Sequence, residues 1–438
     1  MAEDLSGYQG KAFIVLKNAK VRVGDLIKVT QDGEVIEGTL MPRYELADDE
    51  HIVVKLKNGY NVGVRIHPDV GIQEIGVGAK PAFVSPISAR EKEGLPTVAI
   101  VSTGGTIASR IDYRTGAVRP ALTSNDLLSV VPELSDVANL RTEVLSALLS
   151  ENIYAPHWIE MAKTAARYIE DNVDGVVICH GTDTMAYTSA ALSFALQNLP
   201  VPIILVGSQR SSDRPSSDAS MNLVSAVRAA SYAPMAEVMV CMHETIADSA
   251  TVLLRGTRVR KLHTSRRDAF KAVNADPLGR VDADKIVVLA ENYPERDSSR
   301  KLLLRTEFSD RAAFVKFYPG FDPKVFDWYR EEGYKGLILE GTGLGHVSEQ
   351  CFAAIEKAVK SGVFVGMCSQ CMHGRVNMKV YDTGRDLLRL GVTPLEDMLS
   401  ETAFVKLSWV LGQHNNMEEV REMMVTSLAG EISFRSVY

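Results

Sequence analysis

Two short segments carry residue types that could do chemistry on a small polar substrate. Ser102-Thr103-Gly104-Gly105-Thr106-Ile107-Ala108 follows the apolar run Val98-Ala99-Ile100-Val101, and His180-Gly181-Thr182-Asp183-Thr184-Met185 follows Gly175-Val176-Val177-Ile178-Cys179. In each, a threonine stands beside glycine, where the missing side chain lets the backbone turn sharply and aim its N–H groups at a ligand. A hydroxyl held this way can attack a carbonyl carbon while backbone donors stabilise the oxyanion of the tetrahedral intermediate. A threonine hydroxyl is a poor nucleophile by itself, so the chemistry also requires a base and a group to hold that base. Asp183 adjoins Thr182 and can orient a lysine amine, which serves as a base when burial or a cationic neighbour lowers its pKa. Lys261, in Arg260-Lys261-Leu262-His263-Thr264, is the candidate. Each loop also has a plain reading as a tight strand-to-helix turn with a helix cap. The adjacent hydroxyl and carboxylate at Thr182 and Asp183 are harder to assign to packing.

Such loops are useful only where a scaffold presents them together, and ligands of open α/β sheets sit beyond the carboxyl ends of the strands. From Thr97 onward, apolar runs of four to six residues alternate with longer amphipathic stretches, the pattern of βα units around a parallel sheet. The expected strands are Val98–Val101, Gly175–Cys179, Pro202–Val206, Val238–Met242, Lys285–Leu289, Ala313–Phe317, Gly336–Leu339 and Val363–Met367. Helices are expected over Ala155–Asn172, with Ile159, Ala162, Ala166 and Ile169 on one face, and over Ala186–Leu199. A polar break at Asn292–Arg300 divides this region into two parallel-sheet α/β domains, 97–292 and a smaller 311–438, joined by a linker at 293–310.

Residues 11 to 67 have another texture. Short β-branched runs alternate with polar residues between turn signals at Asn18, Gly24-Asp25, Asp32-Gly33 and Asn58-Gly59. Asn-Gly between Val53–Leu56 and Val62–Val64 is a strong hairpin signal. A small all-β barrel domain is therefore expected over 1–80, followed by a Gly- and Pro-rich linker over 81–96.

Composition bounds the function. At 438 residues, 46% hydrophobic and 24% charged, the chain has the make-up of a globular protein. Its longest apolar stretches fall far short of the roughly 20 residues that span a bilayer, so no membrane association is expected. The acidic start, Met1-Ala2-Glu3-Asp4, leads into no secretory segment, and five cysteines are too sparse for a disulfide framework. A cytoplasmic location is expected. The formal charge of −7 gives no global attraction for phosphate backbones, so contact with nucleic acid would need a local patch or a partner.

Together, Ser-Thr-Gly-Gly-Thr-Ile at 102–107 and His-Gly-Thr-Asp-Thr-Met at 180–185 resemble the two signature motifs of the bacterial-type L-asparaginases, in matching order and spacing. The resemblance runs from about Pro96 to the carboxyl terminus. Tyr381–Asp386, Gly391-Val392 and Lys406-Leu407 are similar to the cytoplasmic type. It implies a two-domain asparaginase-like fold in which Thr106 is the nucleophile and Thr182, Asp183 and Lys261 form a hydrogen-bonded group. Ser150 and Glu151 would grip the α-carboxylate and α-amine of the substrate, with Asp183 sharing the amine, and Tyr113 would belong to a mobile lid. Simple asparaginases begin close to their first strand, whereas roughly 95 residues precede Thr97 here. That arrangement resembles the D subunits of the archaeal glutamyl-tRNA(Gln) amidotransferases. It implies release of ammonia from glutamine or asparagine, and a partner, the amidotransferase E subunit, that uses ATP and Mg²⁺ to amidate the glutamate of Glu-tRNA(Gln). It further implies a homodimeric core in a heterotetramer and no cofactor or metal in this chain. The alternative is a stand-alone cytoplasmic L-asparaginase with an accessory amino-terminal domain.

Other signals weigh less. Cys368-Ser-Gln-Cys371 with His373 looks like half a zinc site, but no second pair occurs and the reading is two ordinary thiols near a strand end. Gly341-Thr-Gly343-Leu-Gly345 imitates a dinucleotide loop, yet His346 stands where the third glycine belongs, so a tight turn is expected. The basic stretch Arg255–Arg267 reads as a solvated loop, with contact to tRNA or a partner as the alternative. His157, His243 and His414 are expected at the surface or as caps.

Overall fold

A computed structural model of the chain describes all residues except 1–4, 6, 44–47, 57–60, 77–91, 105–106, 108, 112–117, 121–126, 129–130, 211–215, 283 and 436–438. The strand Thr97–Ser102 lies one strand in from the edge of the larger, eight-stranded sheet. It pairs in parallel with Asn139–Val144 on one side and with Gly175–Cys179 on the other, and parallel pairing continues through Ile203–Val206 to Val238–His243. Successive side chains of these strands enter two different cores. Ala99, Val101, Val176, Ile178, Ile203 and Leu205 face the core that includes helices Ala155–Glu170 and Met185–Ala195, while Val98, Ile100, Val177, Cys179, Ile204 and Val206 face the one that includes Ala219–Tyr232. Burial on both faces is why these strands read as unbroken apolar runs.

The sheet does not remain parallel. Thr251–Arg255, Gly279–Asp282 and Lys285–Val288 extend it as antiparallel strands. The Lys285–Leu289 run is therefore an exposed, antiparallel end of the sheet and not a βα strand, with Val287 46% and Leu289 49% exposed. The smaller sheet is parallel, in the order Ala312–Lys316, Gly336–Gly341, Phe364–Ser369 and Thr393–Pro394. Helix Ser400–Gln413 lies between the sheets, packing on Met185–Ala195 and on Gly336–Gly341, so that Leu192, Phe194, Ile338, Phe364, Leu407 and Trp409 share one core.

Two buried ion pairs fix the carboxyl-terminal segment to that core. Lys406 Nζ meets Glu431 Oε1 at 2.6 Å with both side chains fully buried, and Glu431 also accepts hydrogen bonds from the N–H groups of Leu428 and Ala429. Arg258 pairs with buried Asp397 and donates to the Gly430 carbonyl and to Ser433 Oγ.

The amino-terminal unit is the expected antiparallel sheet, in the order Asn61–Arg65, His51–Lys55, Glu34–Leu40, Leu26–Gln31, Gly71–Gly76. His51–Lys55 and Asn61–Arg65 are the two arms of the expected hairpin; its Asn58-Gly59 turn lies outside the described residues. The unit is not all-β. Gly10–Asn18 is a helix that buries Ala12 and Leu16 against Ile27, Val29, Leu40, Ile52 and Val54, and this burial outweighs the β propensity of Phe13-Ile14-Val15. Buried Tyr8 joins it to the sheet, its hydroxyl donating to the Met41 carbonyl at 2.7 Å and accepting from the Val53 N–H. Among the described residues no helix is long and apolar enough to cross a membrane.

Candidate active site

The two loops singled out in the sequence leave adjacent strands, and the first is hydrogen-bonded to the end of the strand that carries the second. Thr103 is fully buried, and both its N–H and its hydroxyl donate to the Cys179 carbonyl, at 3.0 and 2.9 Å. Gly104 has φ +121°, and a Cβ there would lie 2.1 Å from the Leu148 carbonyl oxygen, so glycine is obligatory. This close approach draws in the segment Leu148–Asn152 from the end of the neighbouring strand. On the other side a Cβ at Gly181 would fall 2.8 Å from the Ser150 Cβ, and Thr184 donates its hydroxyl to the Ser150 carbonyl at 2.6 Å. Ser150 is thereby buried between the loops, at the start of the short helical turn Ser150–Asn152, while Glu151 beside it is exposed.

Lys261 comes from a different part of the chain. It ends the ribbon strand Val259–Lys261, paired with Phe270–Ala272, and its amine donates to Thr182 Oγ1 at 2.9 Å and to Asp183 Oδ1 at 2.7 Å. The Lys261 side chain is largely shielded, 13% exposed, whereas that of Asp183 is 70% exposed. Helix Met185–Ala195 begins immediately afterwards, so the positive end of its dipole lies beside this carboxylate. Ser150, Thr182, Asp183 and Lys261 are thus brought into one neighbourhood. Thr106 and Tyr113 lie outside the described residues.

His180, read in the sequence only as part of its motif, occupies a defined place under the loop. It is 1% exposed, with Nδ1 at 2.6 Å from the Gly181 carbonyl and Nε2 at 2.9 Å from Thr188 Oγ1, which also accepts from the Trp158 indole N–H at 3.2 Å. Burial disfavours the imidazolium and pushes its pKa down to about 4, although the Gly181 carbonyl opposes the shift.

Comparison with known proteins agrees with this architecture. The family models matched are the asparaginase N-terminal domain over 97–294, the glutaminase/asparaginase C-terminal domain over 311–424 and the GatD N-terminal domain over 21–75. The D subunit of the glutamyl-tRNA(Gln) amidotransferase of Methanothermobacter thermautotrophicus is 51% identical over 430 residues, covering 98% of each chain. That of Methanopyrus kandleri is 49% identical, covering 98% of this chain and 95% of its own. This chain belongs to the D-subunit family of the glutamyl-tRNA(Gln) amidotransferases. The thermostable L-asparaginase from Thermococcus kodakarensis superposes with a TM-score of 0.68 at 30% identity, covering 77% of this chain and 99% of that one. This amidotransferase D subunit is accordingly an asparaginase-fold amidohydrolase preceded by an extra antiparallel unit.

In this D subunit the basic stretch Arg255–Arg267 is a solvated loop only over Leu262–Arg266; Arg255–Lys261 is buried or half-buried, and the arginines of the stretch are paired with carboxylates. Arg255 pairs with Glu237, Arg258 with Asp397, Arg260 with Glu401, Arg266 with Asp268 and Arg267 with Asp248. The stretch threads between the two α/β units, and most of its acidic partners are distant in sequence, which is why its role is not legible in the charges alone. His157 caps its helix as expected, with Nδ1 accepting from the Tyr154 N–H, and His414 sits beside Glu419. His243 departs from expectation. It is fully buried, between Asn222 Oδ1 at 2.6 Å and Asp248 Oδ1 at 3.1 Å. Cys368 is buried and Cys371 exposed, both as free thiols, and Thr342 and His346 close the tight turn after Gly336–Gly341.

Proposed function

We propose that this chain releases ammonia from the carboxamide of glutamine or asparagine and delivers it for the transamidation of Glu-tRNA(Gln) to Gln-tRNA(Gln). The observation that carries the reading is the amine of Lys261 joining Thr182 Oγ1 to Asp183 Oδ1 beside the paired loops. Thr106 Oγ attacks the carboxamide carbon, the C–N bond breaks with ammonia leaving, and water then cleaves the Thr106 ester to free the acid product and restore the hydroxyl. As Thr106 Oγ attacks, its proton is taken up by the Thr182–Lys261 pair and given to the departing nitrogen, so that it leaves as neutral ammonia, while Asp183 holds the Lys261 amine in place. Ser150 and Glu151, with Asp183, hold the α-carboxylate and α-amine, and the segment of Tyr113 closes over the substrate to exclude water.

Full-length likeness to amidotransferase D subunits and the match to their amino-terminal domain favour the amidotransferase role over a stand-alone asparaginase. In that role the chain works in the cytoplasm, as a homodimeric core bound to the amidotransferase E subunit in a heterotetramer. The partner uses ATP and Mg²⁺ and makes most of the contact with tRNA, while this chain uses no cofactor. The internal pairing of Arg255–Arg267 supports that division of labour. The test is co-purification with the E subunit and an ammonia assay on glutamine and asparagine, with and without Glu-tRNA(Gln). Stimulation of ammonia release by the partner and charged tRNA is expected. Strong release by the chain alone, unaffected by either, would refute it.

A further inference from the structure

Burial keeps the His180 ring neutral, and with a neutral ring the hydrogen bonds around it take one direction. An indole N–H can only donate, so Trp158 gives its proton to Thr188 Oγ1. A carbonyl can only accept, so the imidazole Nδ1 facing the Gly181 oxygen must carry a proton. In a neutral ring Nε2 is then an acceptor, and it takes the one proton that Thr188 has to give. Trp158, Thr188 and His180 form a buried chain of donors ending on a single backbone carbonyl.

That carbonyl belongs to the Gly181–Thr182 peptide, whose nitrogen is that of Thr182. The same peptide is confined on other sides. Gly181 lies against the Ser150 side chain, and Gly207 lies so close beneath that a Cβ on it would stand 2.9 Å from Thr182 Cγ2 and 2.7 Å from the His180 carbonyl oxygen. These contacts limit translation, but a peptide plane can still rotate about its flanking bonds. The hydrogen bond from His180 to the Gly181 oxygen opposes this rotation. We propose that His180, oriented by Thr188 and Trp158, is a positioning residue that fixes the Gly181–Thr182 peptide and so sets Thr182 Oγ1 within reach of Lys261.

This inference rests on Thr182 belonging to the amidohydrolase centre. The argument for an effect on turnover is geometric: displacement of a reacting group by about 1 Å can cost about 10²-fold in rate. Thr188→Val keeps the shape and removes the hydroxyl, and Thr188→Ser restores it. His180→Phe removes both ring nitrogens, whereas His180→Asn keeps an N–H at the position of Nδ1. The full chain, alone and with its partner subunit, is assayed for ammonia release from glutamine. Thr188→Val is expected to lower kcat about 10-fold with KM changed less than about twofold, and Thr188→Ser to recover it. His180→Phe should lose about 10²-fold and His180→Asn regain most of that. A second readout is independent of turnover: ¹⁵N NMR of the histidine side chains should show His180 as the neutral Nδ1–H tautomer, and a crystal structure of Thr188→Val should show the Thr182–Lys261 contact lengthened. Folded Thr188→Val and His180→Phe proteins with unchanged kcat, or an Nε2–H tautomer at His180, would overturn the proposal. A wild-type protein that releases no ammonia would sink the functional reading instead, and the tautomer and the Thr182–Lys261 distance would still decide the positioning role.

Discussion

Replacing Lys261 by methionine removes the amine that joins Thr182 to Asp183 while keeping the length of the stem. Its effect on folding should be small. The Lys261–Asp183 pair spans 2.7 Å, but Asp183 is 70% exposed, so solvent screens the attraction and the pair contributes no more than about 1 kcal/mol. For a chain of this size that corresponds to a Tm change under about 2 to 4 °C. The effect on turnover should be far larger, because proton transfer by a positioned group is worth about 10² to 10⁴ in rate, or about 3 to 5 kcal/mol of barrier. Ammonia release from saturating glutamine, coupled to reductive amination and read as loss of NADPH absorbance, gives kcat directly. A fall of at least about 10²-fold is expected, with Tm nearly unchanged. Asp183→Asn in the same background should add little, since residues acting as one unit are not additive. A Lys261→Met protein that keeps kcat/KM within about threefold of wild type would remove these groups from the mechanism.

Lys406→Met leaves Glu431 buried without its cation, so a loss of about 3 to 5 kcal/mol is expected in urea unfolding, and the double variant with Glu431→Gln should recover a substantial part of it. Should Lys406→Met prove as stable as wild type, the pair is not a clamp. Gly104→Ala must place a methyl group 2.1 Å from the Leu148 oxygen, so the loop is displaced and ammonia release should fall below about 1% of wild type; near-normal activity would show that the two segments are not in contact. Burial lowers the pKa of His180 from 6.5 to about 4 in the folded chain. Above pH 6.5 both states are neutral there, and as pH falls from 6.5 to 4 only the unfolded chain takes up the proton, so stability declines by up to about 3 kcal/mol across that window. Urea midpoints at pH 7 and pH 5 should therefore differ more for wild type than for His180→Asn, and equal differences would count against a buried neutral ring.

The parts of this molecule that can be read from its residues are those governed by local physics. Val98–Val101 and Gly175–Cys179 are apolar throughout because the sheet is covered on both faces, and Gly104 and Gly181 mark close approaches that exclude a side chain. The link from Asp183 to Lys261 follows from charge and from likeness to a family, and the fold supplies its distances. The antiparallel strands Thr251–Arg255 and Gly279–Asp282 are not among the expected ones because short segments near a sheet end lack the long apolar signature. The fates of Arg258, His243 and His180 are illegible for a different reason. Each depends on partners brought in by the fold: Asp397 and Gly430 for Arg258, Asn222 for His243, and Thr188 with Trp158 for His180. The helix Gly10–Asn18 is hidden by its β-branched residues, and only the sheet beneath it reveals which face it buries.

The helix Ser400–Gln413, wedged between the two sheets, constrains how this molecule can move and fail. Its residues belong to the same interior as the first sheet's helices, so no greasy seam is available along which one α/β half could swing from the other. Opening and closing around a substrate must then fall to surface segments, and heat should melt the halves together in a single step. A protein cut short before this helix would not be a smaller enzyme but a chain with half its heart exposed to water.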